Sequence, residues 1–120
     1  MRTTITKIFT FDSAHSLPEH LGKCRNVHGH TYTMEVAVEG PVDHGGPTDG
    51  MVMDFADLRA RVAELVVGPL DHRYLNDLFD FAPTAEALAS WAMLTLREAG
   101  LAVVRVRLWE TPTSYAEVSI

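Results

Sequence analysis

Seven consecutive residues, Cys24-Arg25-Asn26-Val27-His28-Gly29-His30, hold the only cysteine of the chain and two of its six histidines. Three explanations fit such a cluster. Imidazoles two positions apart can clamp a metal ion, because alternate residues of an extended strand project from one face. A thiol near an imidazole can serve as nucleophile or base. The third explanation is a polar turn without chemistry. His15, in Phe11-Asp12-Ser13-Ala14-His15, weighs against the turn: if its strand pairs antiparallel with the strand entered at His28, three imidazoles converge. Three neutral imidazoles leave one position of tetrahedral zinc open, as catalytic sites require. Cys24 is flanked by Lys23 and Arg25, and neighbouring cations favour a thiolate. It reads as a nucleophile or general base, as a fourth zinc ligand that would close the site, or as a small buried hydrophobe.

Positioning these residues falls to two strands. Thr3 to Phe11 alternates, with Ile5, Lys7, Phe9 and Phe11 on one face, and residues 31–39 alternate with Tyr32, Met34, Val36 and Val38 together. Residues 40–50, Gly-Pro-Val-Asp-His-Gly-Gly-Pro-Thr-Asp-Gly, form a loop. Asp54 is a candidate cap for a helix carrying Phe55, Leu58, Val62, Leu65 and Val66, which Gly68-Pro69 is expected to stop. Thr84 is a candidate cap for a second helix, through Leu88, Trp91, Ala92 and Leu96 to Gly100. Residues 101–110 alternate again, and Ser114 to Ile120 can close a hairpin across Thr111-Pro112-Thr113. The order ββααββ predicts an α+β fold: a four-stranded antiparallel sheet with two helices on one face.

Composition narrows the function. A chain of 120 residues suits one domain over 1–120 with a core of its own, so neither metal nor disulfide is needed merely to fold. One cysteine forms no internal disulfide, which points to a reducing, cytoplasmic setting. No signal-peptide core and no membrane-length apolar run is found. The net charge of −6, without a basic run, lacks the footprint of a nucleic-acid binder. The expected partner is a small molecule.

The chain resembles a known family in six stretches taken in order: FDSAHSL (11–17), CRNVHGH (24–30), MVMDFADL (51–58), LDHRYLN (70–76), PTAEALA (83–89) and WETPTSYAEV (109–118). The likeness is to the 6-pyruvoyltetrahydropterin synthases, and most to their bacterial 6-carboxy-5,6,7,8-tetrahydropterin synthase branch, of queuosine and other 7-deazaguanine pathways. It implies a tunnelling fold whose subunits join into a ring, usually a homohexamer of two trimers with sites at subunit boundaries. It further implies zinc held by His15, His28 and His30, with Cys24 as general base and Asp71 orienting His72 for proton transfer. Glu110 would anchor the pterin, since a carboxylate can accept two parallel hydrogen bonds from an amino-pyrimidinone edge. The implied reaction converts 7,8-dihydroneopterin triphosphate to 6-carboxytetrahydropterin, releasing acetaldehyde and triphosphate. A sibling activity eliminates triphosphate without cutting the side chain, and a zinc- or pterin-binding module without catalysis is a third reading. One departure stands out: the family's usual PTxEN is PTAEA here, with Ala87 in place of asparagine.

Overall fold

The computed structural model describes residues 1–120, and its framework is a long antiparallel ribbon of β1 (Thr3–His15) and β2 (His28–Gly40). Every residue of β1 has a partner, from Thr3 opposite Gly40 to His15 opposite His28. β1 continues four residues beyond the stretch that alternation marks, and β2 begins three residues earlier. Both extensions carry the histidines, whose polarity hides them from a hydrophobic pattern. On one face Phe9, Phe11, Ser13 and His15 of β1 are buried, as are Tyr32, Met34, Val36 and Val38 of β2. The other face is wetter, with Ile8, Thr10, Asp12 and Thr31 exposed.

Asp54 accepts the Ala56 N–H at 2.7 Å and opens α1 (Phe55–Val62). The helical path then continues through a π turn (Ala63–Val67) into the short α2 (Gly68–Leu70), so Gly68-Pro69 does not stop it. Leu58, Val62, Val66 and Leu70 recur every four residues and are all at most 1 % exposed. On a regular α-helix a four-residue step overshoots one turn by about 40°. A wider turn advances fewer degrees per residue and offsets that drift, keeping all four side chains on the sheet. It also opens the backbone just ahead of Pro69, whose ring would otherwise crowd the preceding turn. Gly68 donates its N–H to the Ala63 carbonyl, five residues back.

The chain then makes β3 (Arg73–Tyr74), which runs parallel to β1 opposite Ser13 and Ala14. Thr84 Oγ1 accepts the Ala87 N–H at 3.1 Å and caps α3 (Ala85–Glu98). β4 (Val103–Thr111) and β5 (Ser114–Ser119) form the closing hairpin. The sheet is therefore five-stranded and mixed, in the order β3-β1-β2-β4-β5, and not the four-stranded antiparallel sheet that alternation predicts. The extra strand has two residues, too few to leave a period in the sequence. Its junction with β1 is tied by His72 N–H to the Asp12 carbonyl at 2.7 Å and by Asp12 N–H to Asp71 Oδ1 at 3.0 Å. The helical layer covers one sheet face over a cluster of 21 buried residues, among them Leu88, Ala92 and Leu96 of α3. No helix is long and apolar enough to cross a membrane.

Two stability effects follow. A Cβ built on Gly68 would lie 2.9 Å from the Ala63 carbonyl oxygen. Gly68→Ala, normally worth about 1 kcal/mol in favour of a helix, should therefore destabilise by roughly 1–3 kcal/mol, the usual range for steric overpacking. A urea midpoint equal to or above that of the parent chain would refute the π-turn constraint. Asp71 is held below its ordinary value of 3.8, first by the Asp12 N–H and then by the hydrogen bond to His72. A lowered carboxyl stabilises the fold above its unfolded titration range, and that contribution is lost as pH falls through the folded value. The stability gap between the parent chain and Asp71→Asn should be full above about pH 5 and shrink below it. Denaturant midpoints across that range check this, and a gap independent of pH would contradict it.

Candidate functional site

The β1–β2 register decides which face the histidines occupy. His15 is opposite His28 and Ser13 opposite His30, so all three imidazoles rise from the face that also carries Phe11 and Tyr32. Their ring centroids lie 4.5 Å (His15–His28), 5.1 Å (His15–His30) and 4.9 Å (His28–His30) apart, all edge to face. Backbone carbonyls orient two of the rings. His15 Nδ1 is 2.8 Å from the Pro83 oxygen, and His28 Nδ1 is 2.8 Å from the Asn26 oxygen. A carbonyl can only accept, so each Nδ1 carries a proton, and in the neutral, metal-binding form of the ring each Nε2 presents a lone pair. One ligand nitrogen from each of the three rings falls in a group spanning at most 4.8 Å.

Two of these atoms, His15 Nε2 and His30 Nε2, are buried without a hydrogen-bond partner. Such atoms are costly to bury and call for an explanation. Glu110 Oε1 is near, 3.4 Å from His15 Nε2 and 3.7 Å from His30 Nε2. At His15, however, a lone pair faces a carboxylate oxygen, two acceptors that a cation between them would reconcile. Burial is the largest influence on His30 and lowers its pKa, with His15 and His28 adding to that and Glu110 opposing it. A neutral imidazole is the form that binds a metal. The donor set and the orphaned nitrogens thus fit zinc.

Glu110 reaches the cluster from β4. Trp109 pairs with Tyr115 and Thr111 with Ser114, leaving Glu110 as the extra residue of a bulge, a device that re-aims side chains next to sites. One register step beyond the Thr33–Trp109 pair sets it beside Tyr32. The Tyr32 hydroxyl is buried without a partner, and burial, reinforced by Glu110, raises its pKa.

Cys24 sits in a 3-10 turn (Lys23–Arg25). The Leu17 N–H binds the Cys24 carbonyl at 2.8 Å and pins this turn beside the end of β1. The free, half-buried thiol shares one cavity of about 480 Å³ with His15, Leu17, Lys23, His28, His30, Glu110 and Thr111. Its sulfur is not part of the three-histidine donor group. Ligand cavities commonly enclose about 300–1,000 Å³.

Asp71 and His72 are elsewhere. Asp71 Oδ1 is 2.9 Å from His72 Nδ1, and His72 adopts φ 58°, a left-handed conformation that costs a non-glycine residue some strain. His72 lines a second cavity of about 510 Å³ with Asp12, Ser13, Ala14, Gly29, His30, Thr31 and Arg73. Asp12, Ala14 and Thr31 alternate with Ser13, His15 and His30, so the cavity opens mainly over the opposite sheet face and meets the histidine face only at its rim, through Ser13 and His30. Within one chain the sheet stands between His72 and Cys24. Asp12, Asp71 and His72 also form a close donor group, exposed or half-exposed. The fold gathers His15, His28, His30, Cys24 and Glu110 around one cavity, the first four singled out by residue type and spacing and Glu110 by the family likeness. Sequence reasoning missed the Pro83 and Asn26 carbonyls, since backbone acceptors carry no residue signature, and it read Tyr32 only as core.

Comparison with known proteins shows the family of the chain. The model of the family described as 6-pyruvoyl tetrahydropterin synthase matches residues 4–120. The 6-carboxy-5,6,7,8-tetrahydropterin synthase of Synechocystis is 45 % identical, over 93 % of this chain and 89 % of its own. The enzyme of the same name from Haemophilus influenzae is 36 % identical, over 94 % of this chain and 96 % of its own. The structure of Caenorhabditis elegans 6-pyruvoyl tetrahydropterin synthase superposes with a TM-score of 0.85 at 29 % identity, covering 100 % of this chain and 96 % of that one. A match running nearly the full length, through both strands that carry the histidines and the bulge that carries Glu110, places the chain in the 6-pyruvoyl tetrahydropterin synthase family.

Proposed function

We propose that the chain is a zinc-dependent 6-carboxy-5,6,7,8-tetrahydropterin synthase. On this reading it consumes 7,8-dihydroneopterin triphosphate and one water, and releases 6-carboxytetrahydropterin, acetaldehyde and triphosphate. One observation carries the proposal: three imidazoles turned toward a common point share a cavity with a thiol and a carboxylate. Two relatives that match almost end to end bear the name of this activity.

His15, His28 and His30 would hold the zinc, which when bound supplies Lewis acidity toward oxygens of the substrate side chain. The residues of the chain do the rest. Glu110 accepts hydrogen bonds from the amino-pyrimidinone edge and fixes which carbon of the side chain comes near Cys24. The Cys24 sulfur takes a proton from that carbon as general base, a role worth about 10²–10⁴ in rate. Tyr32 and Phe11, stacked with centroids 5.0 Å apart, form a dry floor under the histidines.

Asp71 holds the His72 ring through Nδ1, leaving Nε2 free to exchange protons. Because the sheet separates His72 from Cys24 in one chain, the reading assigns the pair to a site completed by a second copy. Open strand edges and the uncovered face around Ile8 suit such assembly, and the proposed form is a hexamer of two trimers. The product's proposed destination is a 7-deazaguanine pathway such as queuosine synthesis. The pyruvoyl-forming reaction is the second reading, favoured by the structural likeness to the C. elegans enzyme of that name.

Two variants test the roles. Cys24→Ala should keep its zinc, measured by elemental analysis, while acetaldehyde release falls by at least ~10²-fold. Loss of zinc would make Cys24 a ligand, and full turnover would move the base elsewhere. A pyruvoyl product from the parent chain, identified by mass, would replace the proposed reaction with its sibling. Glu110→Gln puts an N–H against a pterin N–H and should weaken product binding by roughly 1.5–3 kcal/mol, the scale of a charged hydrogen bond. Unchanged affinity in a calorimetric titration would remove Glu110 as the anchor.

A further inference from the structure

The cavity shared by Cys24 and the histidines has two formally charged lining residues, one of each sign: Glu110 from β4 and Lys23 from the β1–β2 connection. They do not pair. Glu110 Oε1 lies nearest His15 Nε2 and His30 Nε2, at 3.4 and 3.7 Å, and no ion pair in the chain involves Lys23. A lysine and a glutamate facing one cavity more than ion-pair distance apart leave room for a ligand between them. The Lys23 backbone is held in place, while its side chain is exposed. Its own carbonyl accepts the Asn26 N–H at 3.1 Å, and the Leu17–Cys24 hydrogen bond fixes the turn against β1. Arg25, on the same turn, is not in the lining, and Arg73 lines the cavity on the other sheet face.

We propose that Lys23 is the phosphate-binding residue of this site and sets its preference for a phosphorylated side chain over a bare one. The inference rests on the proposed reaction, whose substrate is polar in the same sense as the cavity. An amino-pyrimidinone edge rich in N–H donors lies at one end, a polyphosphate at the other, and the reacting carbons between them. With the head on Glu110 and the tail on Lys23, those carbons lie beside Cys24 and the histidines. A compact ammonium suits this task as a point charge for phosphate oxygens. The contact holds in substrate and transition state alike until the tail departs, so it acts on KM more than on kcat. The phosphate-free pterin product leaves Lys23 without a partner, so the contact favours substrate over product.

Lys23→Gln keeps most of the length and removes the charge. KM for 7,8-dihydroneopterin triphosphate should rise by about tenfold or more, with a smaller change in kcat. Binding of inorganic tripolyphosphate, followed by calorimetry on zinc-loaded protein, should weaken by a similar factor, while affinity for the phosphate-free carboxypterin product stays as in the parent chain. Arg59→Gln, which removes an equal charge from α1, should alter none of these. Equal weakening for phosphorylated and phosphate-free ligands, or no change in either KM or tripolyphosphate affinity, would overturn the assignment. The two readings fail separately. Tripolyphosphate binding that depends on Lys23, in a parent chain yielding no reduced pterin, would keep the phosphate site and sink the reaction. Turnover indifferent to Lys23→Gln would sink the phosphate site alone.

Discussion

The pairing of β1 with β2 is the constraint on which the site depends. Thirteen residues of β1 pair without interruption, from Thr3 with Gly40 to His15 with His28. A slip of one residue would carry a strand's whole buried set to the other face. Phe9, Phe11, Met34 and Val36 would then meet water, so the apolar core enforces the register that brings the histidines together. The polar end of the ribbon thus inherits its geometry from the apolar end. This division lets the site hold buried nitrogens without hydrogen-bond partners, because the energy that keeps them there is supplied by residues several positions away.

Much of the architecture could be read from residue order, and the exceptions have physical causes. Alternation in Thr3–Phe11 and around Tyr32–Val38 marked both central strands, and Asp54 and Thr84 cap their helices as their side chains suggest. Reading Gly68-Pro69 as a stop assumed regular α geometry, which the π turn evades. β3 is invisible because two residues held by their neighbours have no pattern of their own. At the site, residue type and spacing singled out His15, Cys24, His28 and His30, which line one cavity. Glu110 stood out only through likeness to a family, since the bulge that aims it depends on pairing with β5. The placement of His72 behind the sheet could not be read at all, for it turns on one backbone angle and two hydrogen bonds to Asp12 and Asp71.

Chemistry-bearing residues lie on both faces of one thin sheet. His30 lines both the cavity that holds Cys24 and the one that holds His72, and Gly29 lines the second. Gly29 carries no side chain there, and a Cβ built on it would meet only the Ser13 carbonyl, at 3.7 Å. Beyond Thr33 the exposed face carries a polar lattice instead. Trp109 Nε1 donates to Glu35 at 2.8 Å, and Arg107 lies 4.7 Å from the Tyr115 ring centroid while pairing with Glu117 at 2.8 Å. That half of the face is ordered by its own contacts.

The hydrogen bond from His15 to the Pro83 carbonyl ties the histidine cluster to the residue just ahead of the α3 cap. One imidazole serves both ends: electron density withdrawn at Nε2 makes the Nδ1–H a stronger donor. Anything cationic bound at the rings therefore tightens the docking of the first turn of α3. By reciprocity, a loosened turn weakens that binding to the same degree. Occupancy of the cluster and the order of a helix start 68 positions along the chain are thus a single coupled equilibrium, with one proton-bearing nitrogen as the link.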